Sequence, residues 1–260
     1  MKNLRRNCTA IDALARVLVC GALLLATGAV WAGQAVGVVA HLSGPLMDRK
    51  ADGTVKVLAA QSEVENGDTL VTEKNTYAQI RFIDHGEITL RPGTTFKIEN
   101  YAYDADKPDG DSAAFSLLKG GLRSITGLLG KRNKEKFSLK TPTATIGIRG
   151  TTFIAQWVGD ASGLPSVPSS APSPAVPALA PGLHVAVQEG MIVVTNAGGA
   201  QNFPAGQFGF VASMHQPPIV VPQNPGLKFA PPPSFAAGTG GPVASQGPAA
   251  QQGGTDCIVR

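Results

Sequence analysis

Hydrophobic and polar residues alternate along several short stretches of this chain, and a two-residue period marks half-buried strands. The clearest run is Val64 to Tyr101. Ala78, Ile80 and Phe82 share one face, Asp84-His85-Gly86 turns the chain, and Ile88 and Leu90 follow. Pro92-Gly93 turns it again, and Phe96 and Ile98 close the set. Upstream, Val36, Val38 and Ala40 alternate, as do Val55 and Val57, with Asp52-Gly53 between them as a turn. A further strand is expected around Gly120-Gly121. Beyond residue 182, Val185 and Val187, Ile192 and Val194, and Phe208 and Phe210 form three more alternating pairs.

The chain is organised around Lys136 to Phe153. Phe137 and Leu139 alternate with polar neighbours. Thr141 precedes Pro142 and is pushed into an extended conformation. Thr143, Thr145, Ile146 and Ile148 are β-branched and suit a pleated surface. Gly147 and Gly150 are expected to break the run at a bulge or corner, after which Thr151, Thr152 and Phe153 resume it. Gly67 to Thr72, Gly121 to Thr126 and Gly190 to Thr195 each set a Gly ahead of a strand and a Thr five positions later. The expected fold is therefore all-β, a short β-solenoid or roll with glycine corners, with a two-sheet β-sandwich as the competing arrangement.

Composition divides the length. Residues 1–32 read as a signal peptide: Lys2, Arg5, Arg6 and Arg16 precede the apolar run Val17 to Val30, and cleavage is expected after Ala32. The alternative is an uncleaved membrane anchor. Residues 33–160 and 182–211 carry the strands, and 161–181 is a Pro/Ser-rich linker with six prolines. Residues 212–260, with nine prolines, are expected to be a disordered tail. Removing the leader leaves 18 Lys and Arg against 17 Asp and Glu, so the basic balance of the whole chain makes no case for nucleic acid. Cys257 alone remains of the three cysteines, which excludes a disulfide framework. These features imply a periplasmic or secreted protein.

The order of these motifs resembles the FecR domain family. Gly67, Asp68, Leu70 and Thr72 match its first turn; Ala78, Ile80, Phe82 and Asp84 match its strand and turn; Leu90 and Thr94 follow. Gly121 and Arg123, then Thr141, Pro142, Ala144, Ile148, Arg149, Gly150 and Thr151, complete the pattern. His85 intervenes before Gly86, and Gly93 lengthens the step after Pro92. The resemblance covers residues 60 to 157 closely. It implies an envelope-exposed all-β domain that binds a protein or another envelope component, without naming which. In iron-uptake regulators of the family such a domain is joined through a membrane helix to a cytoplasmic domain controlling a sigma factor. Only 16 residues precede the apolar run here, too few for such a cytoplasmic domain.

Candidate chemistry is sparse. Arg149 is expected to pair with Asp68 or Asp84 at a glycine corner, since an unpaired buried charge is very costly. Thr141 and Thr151 are expected to satisfy turn backbone. Gly67, Asp68, Asp84, Thr141, Pro142, Arg149, Gly150 and Thr151 form the structural signature. Lys131, Arg132, Lys134 and Lys136, within a basic run ending at Lys140, form a possible patch for an anionic partner. Asp104, Asp106, Asp109 and Asp111 lie in what reads as an exposed loop and lack calcium-loop spacing. No catalytic, cofactor-binding or metal residue is assigned. The sequence points to a non-enzymatic exported binding, signalling or scaffold module, acting by surface complementarity or strand addition. The alternatives are a membrane-anchored sensor and a hydrolase with an unrecognised site.

Overall fold

The computed structural model describes residues 34–159 and 179–235. The expected signal peptide, most of the expected linker, the end of the expected tail and Cys257 lie outside the described residues. Among the described residues seventeen strands follow one another. They begin with β1 (Ala35–Leu42), β2 (Leu46–Arg49), β3 (Val55–Leu58), β4 (Glu63–Glu65), β5 (Thr69–Thr72) and β6 (Ala78–Phe82). Then come β7 (Glu87–Leu90), β8 (Thr95–Ala102), β9 (Ser112–Ile125), β10 (Phe137–Lys140), β11 (Thr145–Ile148) and β12 (Thr152–Val158). The last are β13 (Gly182–Glu189), β14 (Met191–Asn196), β15 (Gly199–Pro204), β16 (Phe208–Val211) and β17 (Ile219–Val221). One short helix, α1 (Leu128–Arg132), and three 3₁₀ turns complete the described structure.

The strands form one open, hydrogen-bonded network that folds into two ladders sharing β9. One ladder runs β4-β1-β6-β7-β9-β12-β13-β16-β17. The other runs β3-β2-β5-β8-β9-β10-β11-β14-β15. Pairings among the described residues are antiparallel except β9 with β10. The chain visits the ladders alternately, as in a roll, yet the result has the two layers of a sandwich. A repeated unit underlies this. β5 and β8 pair in the second ladder while the hairpin β6–β7 between them lies in the first; β11 and β14 pair in the second while β12–β13 lies in the first. The Gly-to-Thr sequence repeat does not follow this unit, because it aligns β5 with β14 rather than with β11.

β9 changes ladder at Gly120-Gly121. Gly120 has φ +82°, and a Cβ there would lie 2.7 Å from the Thr94 Cα, so only glycine passes. Thr94 secures the crossing. Its hydroxyl donates to the Gly121 carbonyl (2.9 Å) and accepts from the Gly121 amide (3.0 Å). Thr72 secures Thr94 in turn, accepting its amide at 2.9 Å. A second staple repeats the device: the Thr126 hydroxyl donates to the Thr151 carbonyl (2.7 Å) and accepts the Thr151 amide (3.0 Å).

One core fills the space between the ladders. Phe115 on β9 sits at its centre, with ring centroids of Phe82, Phe96, Tyr101 and Phe137 at 5.3 to 6.1 Å. Burying each such ring contributes about 2–3 kcal/mol. Several expectations are corrected. β1 buries Val36 and Val39, not an alternating Val36, Val38 and Ala40, because its register shifts between Ala35 and Gly37 and again between Val39 and His41. Val55 and Val57 point to solvent, leaving Leu58 as the buried residue of β3. Gly147 does not break a strand; it sits within β11 opposite Val193. Phe208 and Phe210 are only half-buried, and Gly209 and Val211 are the inward pair.

The segment after Ala212 is not all tail. β17 pairs with β16, and Leu227 and Phe229 pack on Ile154 and Ala186. Phe235 reaches the His41 and Tyr77 rings at 5.6 and 6.4 Å. This covering layer explains why β13 is buried on both faces from Gly182 to Val187. Leu179, in the expected linker, packs against the same cluster.

Candidate binding surface

The turns that carry the signature residues are held internally. Gly67 turns at φ +88°, and Asp68, almost wholly buried, accepts the Glu65 amide at 2.8 Å and the Lys50 ammonium at 2.9 Å. Asp84 shapes the β6–β7 turn by accepting the Gly86 amide (2.8 Å), with His85 left-handed at φ +63°. Its other oxygen accepts the Leu129 amide at 3.1 Å and so fastens α1. Burial, and then the Asp84 charge, push the Tyr101 phenol far above its ordinary range, so it stays neutral beneath Phe82. Thr141 closes its turn by exchanging hydrogen bonds with Ala144, and Pro142 is exposed at the tip. Gly150 turns at φ +69°. Thr151 is buried and held through its backbone by Thr126.

Arg149 does not pair with Asp68 or Asp84. Those carboxylates are occupied by Lys50 and by turn amides, while Arg149 is exposed at the end of β11. Only its backbone is engaged, the amide donating to the Met191 carbonyl at 2.9 Å. Its side chain forms no ion pair among the described residues. Beside it stands the 3₁₀ turn Lys134–Lys136. Lys134, Glu135, Phe137, Gly147, Ile148, Arg149 and Val193 border an open cleft of about 380 Å³. The fold thus brings Arg149 and part of the basic run to one place.

Arg132 leaves that run. Its Nε donates to Asp111 at 2.6 Å, another nitrogen reaches the second Asp111 oxygen at 2.8 Å, and the guanidinium lies over the Tyr103 ring. The hydrogen bonds from Arg132 hold the Asp111 carboxyl below its ordinary range. Asp111 is therefore buried rather than part of an exposed loop, and Tyr101 lies inside β8. Lys131, Lys134 and Lys136 remain exposed.

One cluster escaped the sequence reading. Lys50 lies 3.3 Å from Asp48, 3.1 Å from Glu65 and 2.9 Å from Asp68. Burial works to lower the Lys50 ammonium, but the hydrogen bonds it donates to Asp68 and Glu65 outweigh it and hold it above the ordinary range. Burial and the Asp68 charge push Asp48 up. Asp48 is fully buried with no hydrogen bond to either oxygen, so it offers no atom to a substrate. Its place on the inward face beside Leu46 was the only signal. Among the described residues no group of His, Cys, Asp and Glu is arranged to hold a metal ion. No described helix is long and apolar enough to cross a membrane.

β3 is an edge of the second ladder, paired only with β2. Val55 is 55% and Val57 74% exposed. The other three edges are blunted in ways that hinder pairing. Prolines 217, 218 and 222 flank β17, Glu63 and Glu65 flank Val64 in β4, and β15 carries Gln201 and Asn202 and ends at Pro204.

No curated protein matches the chain. Two solved structures of a candidate anti-sigma factor from Parabacteroides distasonis ATCC 8503 are similar at 12% identity and TM-score 0.41. The alignment covers 59% of this chain and 58% of that one, so the chain spans somewhat over half the length of that protein. A solved cell surface anchoring domain is similar at 22% identity and TM-score 0.24, over 24% of this chain and 83% of that one. The family model described as FecR protein matches residues 68–166, a stretch running from the Asp68 turn past Thr151. The described turns and strands of that stretch fold around a common core, and it is this stretch that matches the FecR domain.

Proposed function

We propose that this protein is an exported, non-enzymatic module of the cell envelope that binds another protein and passes on a signal or serves as a scaffold. The observation that carries this reading is the unpaired edge of β3, where Val55 and Val57 face solvent on either side of the exposed Lys56. A strand with one row of free backbone groups and two solvent-facing valines is suited to take a partner strand, which gains backbone hydrogen bonds and apolar burial together. The FecR domain supports the signalling class. The leader expected at residues 1–32 supports export, with release after Ala32.

Two measurements test the reading. The protein recovered from culture begins at Gly33 if the leader is cleaved; a start at Met1 in the membrane fraction replaces the reading with a membrane-anchored sensor. Val57→Lys places a charge on the edge without touching the core, so its unfolding midpoint stays that of the parent. Chemical crosslinking in intact cells joins the parent to a discrete envelope protein and loses that product in Val57→Lys. An unchanged crosslinking pattern in the variant refutes the edge as the binding site.

A further inference from the structure

Gly147 has no explanation within the fold. Its φ is not positive, so no turn demands glycine there. β11 keeps unbroken register with β14 from Thr145–Thr195 to Ile148–Ile192, so there is no bulge against that strand, and its pairing with β10 ends at Ile146. A Cβ added to it would meet only the Val193 carbonyl oxygen, at an ordinary 3.9 Å. Glycine inside a strand weakens it, and where neither bend nor bulge is present, it marks a place where another molecule approaches the backbone closely. Ile146 and Ile148 are buried, so alternation turns Gly147 outward, together with Arg149 two residues on. That outward space is the cleft beside Lys134.

We propose that this cleft receives an acidic, extended peptide segment of a partner protein, whose main chain lies over Gly147 and whose carboxylates meet Arg149 and Lys134. The assignment rests on the protein-binding reading above and deepens it, but at a surface distinct from β3. The charge complement favours a carboxylate ligand. Lys134 and Arg149 line the cleft against the single carboxylate of Glu135, and Lys136 and Lys140 are exposed on the adjoining turn and strand. Arg149, Lys134 and Lys136 form no ion pair among the described residues, unlike Lys50, Arg81, Lys97 and Arg132. A guanidinium left free at a strand end can engage a carboxylate through two parallel hydrogen bonds.

The test measures fluorescence anisotropy of the purified exported chain with a labelled Glu/Gly peptide, a Gln/Gly control of the same length, and phosphatidylglycerol vesicles. The parent binds the acidic peptide and neither the control nor the vesicles. Arg149→Gln and Lys134→Gln each weaken binding roughly tenfold, the scale of a lost charge-assisted hydrogen bond. Gly147→Val is the deciding variant. It leaves every charge in place and adds a β-branched residue to a strand, so its unfolding midpoint is equal to or higher than the parent's, while peptide binding is lost. Retained binding in Gly147→Val, equal binding of the Gln/Gly peptide, or binding to the vesicles alone overturns the proposal. None of these results alters the crosslinking outcome of Val57→Lys, which bears on β3.

Discussion

Replacing Lys50 with Met removes the one cation among three carboxylates and should be among the costliest exchanges in the molecule. The ammonium stands 2.9 to 3.3 Å from Asp68, Glu65 and Asp48. At an effective dielectric of about 20, each contact is worth about 5 kcal/mol before desolvation and carboxylate repulsion are set against it. What matters is the state left behind: Asp48 and Asp68 are both essentially without solvent. Stranding buried charge in this way costs about 3–5 kcal/mol, which for a protein of this size lowers the thermal midpoint by about 10 °C. Asp48→Asn should behave oppositely. Its carboxylate has no hydrogen bond, and the folded state holds its proton more tightly than the unfolded chain does. Stability from that proton is lost as pH rises above the ordinary aspartate value of 3.8, so the amide is neutral or stabilising by about 1–2 kcal/mol at pH 7. The double variant should recover part of the Lys50→Met loss, a non-additivity expected of groups in contact. Urea unfolding at pH 7, followed by circular dichroism, measures all three. A Lys50→Met loss under about 1 kcal/mol, or a double variant no better than the single, refutes the reasoning.

Arg132→Met leaves Asp111 buried without its partner. Asp111 sits below its ordinary 3.8 in the fold, so its contribution is present above that value and is lost as pH falls through the folded value. The variant should be less stable at neutral pH and show a flatter acid-unfolding curve, read by tryptophan fluorescence. Lys50, held above its ordinary 10.5, contributes stability that is complete below that value and declines at higher pH. The alkaline decline should be absent from Lys50→Met. Phe115→Ala empties the centre of the aromatic cluster and should cost about 3–5 kcal/mol in urea unfolding with an unchanged slope.

Alternation was readable wherever one face of a regular strand meets the core, as at Ala78, Ile80 and Phe82, or Ile192 and Val194. It misled where something outside the strand decides burial. Two register shifts moved the inward set of β1, which no local pattern announces. Val55 and Val57 alternate like a core strand but belong to an edge. The full burial of β13 comes from Leu227 and Phe229, some forty residues further on. Charges were harder still. Arg149 looked buried because Ile148 flanks it, yet alternation with the buried Ile148 places it on the outward face. Asp111 looked solvated because of its acidic neighbours, yet Arg132 folds over it. The groups beside the cleft were each visible in the sequence, but Val193 and Lys134 are distant in sequence and meet only through the β11–β14 pairing and the 3₁₀ turn.

The shared strand β9 has a consequence for how the molecule comes apart. Its first half is stitched to β8 and β10 and its second half to β7 and β12, so neither layer can peel away while the other persists. Loss of structure should be all-or-none across both layers, and the amides between Phe115 and Ser124 should be the last to exchange with heavy water. A polypeptide emerging during synthesis meets the same condition in reverse. Its earlier strands wait for residues beyond 112 to emerge before either layer can close.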